Sequence, residues 1–496
     1  MPLLTNAQST IQNRIDIEQP EYCFNYKATT IGTSAALISF EKYLVAGKTN
    51  EYEFHIYDTN LVEKFSKKAS FKYDLREFEL WAKSEKTAHV IKFNSDGEYF
   101  LMSINTENGD LKKVSGKLPR GAKLSEATVM GDMLFFEGTI GGDKALISLN
   151  WQTNLLNSYK VELEDIGNMK VFYMGCQKIE PEKEIIFYFK ASPSRKTSDI
   201  FAIHASEKGA FGKPANLTSN FNEYMHSANT RAINGSNDIF TGTYVKEASY
   251  FPEGIFFANS LSNKPEAVDF YQLSSLKKFK ETVNSQFEKI YKTETFSGLT
   301  INKGEEFSFV QHEPRKLADG YLLMGEVFYP TTENRPYRMN ASARSSILFG
   351  GFKYTAACMI KLDLNGKMVW SSSFPMDINE KSYTDYPGSF LFDAPVPITF
   401  LKIKENTNNT ITAAYLSSTK IVSRSYTSKG EFIKESELDL GFKAIPEKDQ
   451  EILGNALNYW YGDYYLAFAS IHSTAKTKRG EKEKLNQFIL TKVKVD

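Results

Sequence analysis

A short strand–turn–strand pattern recurs along the chain, and it limits the possible fold more than any other feature of the sequence. Its clearest copy runs from Ala357 to Trp370, where two apolar runs flank the tetrapeptide Asp363–Gly366. The pair Asn365-Gly366 is a strong hairpin signal, because a tight primed turn needs positive φ at both central residues and Asn and Gly tolerate it. The sequence therefore predicts a β-hairpin here.

Weaker copies of this hairpin end in a polar or small residue at regular places along the chain. These residues are Asp58, Asn105, Asn150, Ala205, Asn259, Asp363 and Thr427, and a partial eighth copy lies at Gln487–Val495. The first five are spaced close to the period of about 40 to 50 residues that is typical of four-stranded propeller blades. The predicted fold is all-β: a β-propeller of seven or eight four-stranded blades.

Composition agrees with this fold class and argues against several functions. Aromatic residues make up 14% of the 496 residues, an excess that suits the faces of β-strands. The formal net charge is zero, so no overall basic field favours a nucleic-acid partner. The three cysteines, Cys23, Cys176 and Cys358, are far apart and form neither a disulfide framework nor a Cys-x-x-Cys metal site.

The chain shows no run of about 18 apolar residues, so direct insertion into a membrane is not expected. Residues 1–8 look like the tail of a secretory signal, with Thr5 and Ala7 as small residues before a cleavage site. A disordered start is the alternative. Residues 9–496 are predicted to form one propeller domain with insertions at 272–300 and 330–350.

Closure of the propeller needs one more strand, because the eighth copy of the repeat stops at the third strand of its blade. In closed propellers the other terminus often supplies the missing outer strand, which covers an edge that would otherwise pair with other chains. The run Tyr22–Tyr26 has the aromatic content of a strand. We expect it to complete the C-terminal blade.

The first insertion contains an amphipathic helix, predicted over Ser275–Tyr291. Apolar residues recur every three or four positions, and charged residues occupy the other faces. The apolar positions are Leu276, Phe279, Val283, Phe287 and Ile290. Packing of this stripe on the propeller is the leading interpretation, and binding in the groove of a partner protein is the alternative.

The second insertion, Pro330–Gly350, is predicted as a long loop that interrupts the strands around it. Long loops in compact folds are often functional, and aromatic and arginine side chains are enriched at the centres of protein interfaces. Arg335, Tyr337, Arg338 and Arg344 are therefore predicted to bind a partner, with a solvated loop as the alternative.

A cluster of aromatic residues near the C-terminus is a further candidate for partner binding. Tyr459, Trp460 and Tyr461 belong to an eight-residue stretch that contains four tyrosines and one tryptophan and ends at Tyr465. Such a cluster suits a platform for a sugar or a peptide, or an ordinary pair of strands around the turn at Gly462.

No pattern of residues identifies a reaction, a metal or a cofactor. The six histidines stand singly, without the spacing of a zinc site. Asp363 and Asn94 begin stretches that resemble calcium loops but lack the glutamate at the twelfth position, and Gly47-Lys48-Thr49 lacks the rest of a phosphate-binding loop. No catalytic, metal or cofactor residue is predicted, although paired carboxylates for glycoside cleavage stay open.

Two resemblances to known families add to this interpretation. The stretch Leu362–Trp370 resembles, with shorter spacing, the docking repeat of quinoprotein-type propellers. The adjacent cysteines that lie under the quinone in those dehydrogenases are absent, so this likeness implies blade packing and not the cofactor. Four strand motifs and one helix carry a second resemblance: Asn237–Tyr244, Glu253–Ala258, Gly320–Pro330, Leu457–Tyr461, and the helix at Ser275. Together they resemble a family of exported bacterial propellers associated with type IX protein secretion.

The second resemblance implies a periplasmic, non-catalytic protein that is similar to the plug subunits of secretion translocons. Its expected partner is an outer-membrane secretion barrel or another envelope protein, with the chain a monomer within a hetero-complex. The rival hypothesis is a propeller enzyme or carbohydrate-binding protein of the cell envelope. Converging acids in the central channel would favour the enzyme, and closure of the channel by apolar side chains would favour the scaffold.

Overall fold

Short antiparallel sheets succeed one another along the whole chain. The computed structural model describes residues 9–18, 23–43, 49–164, 166, 170–179, 183–194, 197–218, 224–225, 229–232, 238–245, 252–258, 268–285, 307–335, 346–381, 401–405, 410–441, 450–476 and 482–495. Within these ranges the strands form eight sheets, which are the blades of a β-propeller. The predicted fold is confirmed, with eight blades as the number.

The strands follow one another in chain order through the blades. The first seventeen are β1 (Thr10–Glu18), β2 (Cys23–Ile31), β3 (Ala35–Tyr43), β4 (Thr49–Tyr57), β5 (Glu63–Lys72), β6 (Phe78–Lys83), β7 (Thr87–Phe93), β8 (Glu98–Asn105), β9 (Leu111–Lys117), β10 (Ala122–Met130), β11 (Met133–Ile140), β12 (Asp143–Asn150), β13 (Leu155–Lys160), β14 (Lys170–Ile179), β15 (Glu184–Ser194), β16 (Thr197–Ser206) and β17 (Ala215–Asn216).

The second half continues in the same way. Its strands are β18 (Tyr224–Met225), β19 (Asn229–Ala232), β20 (Asp238–Val245), β21 (Gly254–Ala258), β22 (Val268–Gln272), β23 (Ser308–Gln311), β24 (Arg315–Leu317), β25 (Gly320–Arg335), β26 (Ser346–Leu362), β27 (Met368–Lys381), β28 (Lys402–Glu405), β29 (Thr410–Ser417), β30 (Lys420–Thr427), β31 (Phe432–Asp439), β32 (Gln450–Tyr461), β33 (Tyr464–Lys476) and β34 (Lys482–Lys494). Two 3-10 turns occur at Tyr73–Arg76 and Leu273–Ser275.

Each blade is a consecutive group of strands, apart from the last. Blades 1 to 4 are β2–β5, β6–β9, β10–β13 and β14–β17, and blades 5 to 7 are β18–β22, β23–β27 and β28–β31. Blade 8 combines β32, β33 and β34 with β1. First strands of adjacent blades contact one another, as β6 does with β10 and β2 with β32, so the first strands surround the propeller axis.

The hydrophobic core lies between the blades, with one cluster of buried side chains at each of the eight junctions. Successive side chains of a strand point to opposite faces of its sheet. In β11, Leu134 and Phe136 therefore pack against blade 2, and Phe135 packs against blade 4. Both faces of an inner strand are apolar for this reason.

The predicted hairpin at Asp363 is confirmed, but the prediction of a primed turn is wrong. Within this turn Gly366 alone has positive φ, at +83°. The Asp363 carboxylate accepts hydrogen bonds from the backbone N–H groups of Asn365 at 2.8 Å and Lys367 at 2.9 Å. This side chain closes the turn as an Asx motif, so only one left-handed residue is needed.

The tryptophan of the same stretch docks blade 6 onto blade 7. Trp370 Nε1 donates a hydrogen bond to the Ser428 carbonyl oxygen at 2.9 Å. Its ring covers Gly430, which has φ of +81°, and a Cβ atom at that glycine would lie 2.5 Å from the ring. The blade-packing role that the docking-repeat resemblance implied for this tryptophan is confirmed.

The expected closing strand is wrong. Cys23–Ile31, which contains most of the run Tyr22–Tyr26, is the first strand of blade 1 and pairs with β3. The strand that completes blade 8 is β1, antiparallel to β34 from Thr10–Lys494 to Glu18–Gln487. Ile15 and Ile17 on β1 pack against the cluster between blades 8 and 1, and Tyr26 packs against the same cluster from blade 1.

The first insertion packs on the propeller, as its leading interpretation predicted. Residues 279–285 are helical. Leu276, Phe279 and Val283 are buried in the cluster between blades 5 and 6. Phe287 and Ile290 lie outside the described residues, as do the predicted signal remnant at 1–8 and all of residues 286–306.

The second insertion is not a loop over its whole length, which corrects the prediction for Pro330–Gly350. β25 continues to Arg335 and β26 starts at Ser346, and the two strands pair up to that point. The register shifts between Thr331 and Thr332 but pairing resumes, so the hairpin lengthens without breaking.

Among the described residues, no helix has the length and apolar character needed to cross a membrane.

The docking at Trp370 predicts a specific sensitivity at Gly430. Gly430→Ala should destabilise the protein by more than the roughly 1–2 kcal/mol of a left-handed residue, because the new methyl group also collides with the indole ring. Gly131→Ala is the matched control, since Gly131 has φ of +56° and open space around its Cβ position. Chemical denaturation of both variants measures the difference, and equal losses would contradict the docking role.

Closure by β1 predicts that its apolar side chains matter for the whole ring. Replacing Ile15 and Ile17 with Ser should lower the thermal midpoint, because both side chains pack in the junction of blades 8 and 1. Replacing Gln12 and Glu18, exposed on the same strand, with Ser is the control and should leave the midpoint nearly unchanged. A similar shift in both double variants would show that β1 is not held by this packing.

Candidate functional site

A cavity of about 580 Å³ lies at the propeller axis, bordered by strands of blades 1, 2, 3, 4 and 8. Its wall contains three lysines, Lys27, Lys83 and Lys178, one from each of blades 1, 2 and 4. Aromatic side chains, including Trp81 and Phe468, form the remaining large surfaces. The described lining contains no carboxylate, so neither the converging acids nor the purely apolar closure considered above is found.

Lys83 and Lys178 are held by neutral oxygen atoms. Lys83 Nζ donates to Thr29 Oγ1 at 2.7 Å and to the Thr30 carbonyl oxygen at 2.9 Å. Lys178 Nζ donates to the carbonyl oxygen of Lys83 at 3.1 Å. These hydrogen bonds help to fix the positions of the two ammonium groups at the cavity wall.

Lys27 belongs instead to the exposed end of an ion network that joins blades 1 and 2. Lys92, fully buried, contacts the carboxylates of Glu41 at 2.7 Å and Glu79 at 2.8 Å. Glu79 also contacts Lys27 at 3.2 Å and accepts a hydrogen bond from the Trp81 indole at 2.7 Å. Burial alone would raise the pKa of Glu79, but Lys92 and Lys27 outweigh it and lower that pKa.

Burial and mutual repulsion lower the pKa of the channel lysines. For Lys83 the largest cause is partial burial, followed by the positive charges of Lys402 and Lys178, while the Glu85 carboxylate opposes the shift. Burial likewise lowers the pKa of Lys402, an effect that Arg315 strengthens and Glu326 opposes. Lys402 comes from blade 7, so cations of blades 2, 4 and 7 act on one another across the axis.

A second cavity of about 470 Å³ lies between blades 6 and 7 and is bordered by Arg315, Lys402 and His312. Behind it the Glu326 carboxylate, fully buried, contacts His312 Nε2 at 2.6 Å. The same carboxylate oxygen accepts a hydrogen bond from the Leu401 backbone N–H at 2.7 Å. This pair ties the two blades together at the channel.

The aromatic cluster near the C-terminus is a strand pair, as one of its two interpretations predicted. Tyr461 of β32 faces Tyr464 of β33 across the turn at Gly462. Trp460 is 2% exposed and belongs to the core between blades 8 and 1, and Tyr459 is 37% exposed. Tyr461 is half-buried, with its ring centroid 5.3 Å from that of Trp460. The cluster therefore offers no broad flat platform.

The other predicted partner-binding residues belong to the insertion at 330–350. Arg335 is the last residue of β25. Tyr337, Arg338 and Arg344 lie outside the described residues.

Sequence reasoning missed the channel lysines, although aligning the repeats would have placed Lys83, Lys178 and Lys402 on first strands or at their ends.

Stretches that resembled ion-binding loops are turns or strands. Asn94 accepts the Glu98 backbone N–H at 2.9 Å in a turn like that of Asp363. Thr49 starts β4, so a strand follows Gly47-Lys48 where a phosphate-binding loop needs a helix. In the part of the chain that the structure describes, no three His, Cys, Asp or Glu residues come close enough to hold a metal ion.

Comparison with known proteins identifies no family for this chain. No protein-family model matches the chain, and no curated protein does. The β-propeller domain of the Trilobed protease from Pyrococcus furiosus is 9% identical, with a TM-score of 0.36, over 85% of this chain and 99% of that one. Prolyl oligopeptidase B from Galerina marginata is 8% identical, with a TM-score of 0.38, over 91% of this chain and 56% of that one.

A prolyl endopeptidase is 11% identical, with a TM-score of 0.36, over 84% of this chain. The chain spans 50% of the length of that endopeptidase. The structural neighbours thus include peptidases that are longer than this chain.

His89, beside the channel, predicts a loss of stability in acid. It is buried, with its ring nitrogens 2.8 Å from Thr87 Oγ1 and Ser103 Oγ. Burial and, to a lesser extent, Lys178 lower its pKa to about 3. Between about pH 6.5 and 3 the unfolded chain binds a proton that the folded protein does not, so stability falls as pH falls, by up to ~1.4 kcal/mol per pH unit.

His89→Gln, which keeps a polar side chain but cannot titrate, should flatten this dependence. Denaturant midpoints at pH 7, 6, 5 and 4 for the two proteins measure it, with His204→Gln, a half-exposed histidine, as control. Parallel curves for the wild type and His89→Gln would rule out this cause.

Proposed function

We propose that this protein is a non-catalytic propeller of the periplasm that binds the inner mouth of an outer-membrane secretion barrel and occludes it. Its role would be that of the Plug protein of the type IX secretion translocon, which the strand motifs resemble. The observation that carries the proposal is a pair of long hairpins that project from one face of the propeller.

The two hairpins share a face because of the way a propeller is wound. All first strands run in the same direction, so the connections between second and third strands emerge on one face in every blade. The hairpin of blade 6 joins β25 to β26, and the hairpin of blade 8 joins β33 to β34. Both are connections of this kind.

Both hairpins outgrow the sheets that carry them. In blade 6 the pairing of β26 with β27 ends at Gly351–Lys381. Beyond that point β25 and β26 still pair with each other, from Thr332–Phe349 to Arg335–Ser346. In blade 8, β33 and β34 pair with each other from Thr474–Lys484 to Lys476–Lys482. These pairs lie beyond the last pair of β33 with β32 and the last pair of β34 with β1. A two-stranded ribbon is marginally stable by itself, and docking on a partner would add the missing support.

The sequences of the two ribbons give this face a positive charge. Residues 330–350 contain three arginines and one glutamate, and residues 473–484 contain five lysines or arginines and two glutamates. The chain as a whole is neutral. A neutral disc with basic ribbons on one face suits a barrel whose rim is acidic. The opposite charges of the ribbons and the rim would speed association and orient the disc.

Occlusion of a pore requires no chemistry, only a rigid body of the right size held in place. The eight interlocked blades supply rigidity, and ribbons of modest area allow release. The aromatic and basic residues Arg335, Tyr337 and Arg338 are the expected anchors, because a few such side chains carry most of the energy of an interface.

The decisive experiment is affinity isolation of the tagged protein from its native envelope, followed by mass spectrometry. We expect a barrel-forming outer-membrane protein in the eluate. Replacing Arg335, Tyr337 and Arg338 with Ala should reduce its recovery at least about tenfold, since each anchor is worth roughly 2 kcal/mol. The thermal midpoint of the triple variant, measured in parallel, shows whether a loss of recovery comes from unfolding.

Lys86→Ala is the matched control, since Lys86 is an exposed cation in a connection between first and second strands, on the opposite face. Full recovery of the barrel with the triple variant would overturn the role of the blade 6 ribbon. Recovery of the protein alone would overturn the proposed function. A second test measures the leak of a dye through the reconstituted barrel, and a leak that the protein does not reduce would also overturn the proposed function.

A further inference from the structure

We propose that a groove at the outer ends of blades 6 and 7 binds an extended acidic peptide, anchored by a large apolar side chain. This outer groove is a cavity of about 480 Å³. It is bordered by the first residues of β27, by the turn before β31 and by the segment that follows β22. Its lining thus combines residues of two blades and one insertion.

The outer groove lies away from the two ribbons. Both the start of β27 and the turn before β31 belong to connections between third and fourth strands. In a propeller these connections emerge on the face opposite to those between second and third strands, which carry the ribbons. The groove therefore stays open when the ribbons dock, and a peptide bound there goes beyond the proposed function.

Apolar side chains in the wall of the outer groove are open to water. Met368 and Val369 of β27 are 44% and 56% exposed, and Phe432 of β31 is 56% exposed. All three line the same cavity although they come from neighbouring blades. They form one apolar patch, and a ligand that covers it removes this surface from water.

The aromatic rings of the groove are already in place without a ligand. The Trp370 and Tyr426 rings are nearly parallel, with centroids 6.4 Å apart, and the Phe432 ring meets Tyr426 edge-on at 5.9 Å. The indole hydrogen bond to the Ser428 carbonyl oxygen holds Trp370 in this position. Binding therefore has little ordering cost on the protein side.

The charged residues of the lining are three lysines and one acid. Lys277 and Lys278 come from the segment after β22, Lys429 comes from blade 7, and Glu431 is the acid. The lysines are exposed, and none of them forms an ion pair with another residue in the described ranges. The Lys277 backbone N–H donates to Ser371 Oγ at 3.0 Å, which ties its segment to β27. This excess of positive charge complements an acidic ligand.

The edges of the two sheets favour a peptide over a small organic acid. β27 and β31 are the outermost strands of their blades, and no strand of the described chain pairs with their outer edges. An extended peptide adds main-chain hydrogen bonds to such an edge, while its alternate side chains reach the neighbouring pocket. A small organic acid can satisfy the lysines but not the edge.

Fluorescence anisotropy with a labelled peptide, Ser-Asp-Asp-Phe-Leu-Asp-Ser, and the full chain tests the proposal. One comparison peptide has Ala-Ala in place of Phe-Leu, and another has Lys in place of each Asp. We expect saturable one-to-one binding of the first peptide, at least about tenfold tighter than of either comparison peptide. Binding should weaken as salt rises. Absence of saturable binding, or equal binding of the lysine peptide, would overturn the site.

An apolar variant locates the binding. Val369→Asp should weaken it about tenfold or more, because the new carboxylate removes an apolar contact and repels the acidic peptide. Leu155→Asp is the matched control, since Leu155 is 71% exposed on β13, the outermost strand of blade 3. Thermal midpoints show that both variants fold. Equal losses of affinity in the two variants would contradict the assignment to this groove.

A charge reversal supplies a readout that a structural role would not change. Lys429→Glu should weaken binding of the acidic peptide about threefold to fivefold, the scale of an exposed ion pair, and strengthen binding of the lysine peptide. Lys208→Glu is the matched control, because Lys208 precedes Gly209 in the corresponding turn of blade 4 as Lys429 precedes Gly430, and both glycines have φ near +80°.

An unchanged preference for the acidic peptide in Lys429→Glu would overturn the role of the lysines. Analytical ultracentrifugation distinguishes the other occupant, a second copy of this chain. A wild-type dimer that Val369→Asp dissociates would assign the outer groove to that copy and overturn the peptide site. Each of these failures would leave the ribbon proposal untouched.

Discussion

Packing between adjacent blades is the interaction on which the rest of this structure depends. Every inner strand has two apolar faces, one for each neighbouring blade, as Phe135 and Phe136 show on β11. A single blade would expose both faces to water, and only a closed ring buries all of them. The eight clusters of core residues therefore stabilise the propeller as a cycle, in which each blade relies on two others.

Two further features hold the ring together: an N-terminal strand closes blade 8, and side chains of one blade dock onto the next. The strand β1 completes blade 8 and inserts Ile15 and Ile17 into the junction with blade 1. Between blades, side chains of one sheet rest on turn glycines of the next, as Trp370 does on Gly430. The indole hydrogen bond to Ser428 fixes the angle of that contact, which an apolar surface alone would leave free.

The ring also brings together charges that are distant in the chain. Blade 1 and blade 2 balance Lys92 with Glu41 and Glu79, and the low dielectric of the junction makes this pairing obligatory. At the axis, Lys83 donates a hydrogen bond to Thr29, and Lys178 donates one to the carbonyl oxygen of Lys83.

The sequence by itself determined the repeat and the third strand of every blade, because turns and alternating strands are set by residues within a few positions of one another. It did not determine which N-terminal strand closes the ring. Thr10–Glu18 and Cys23–Ile31 both have strand-like sequences, and only their packing partners distinguish them. The length of the blade 6 ribbon and the meeting of Lys83 with Lys178 were likewise decided by the tertiary structure, since pairing and charge balance depend on residues that closure alone makes neighbours.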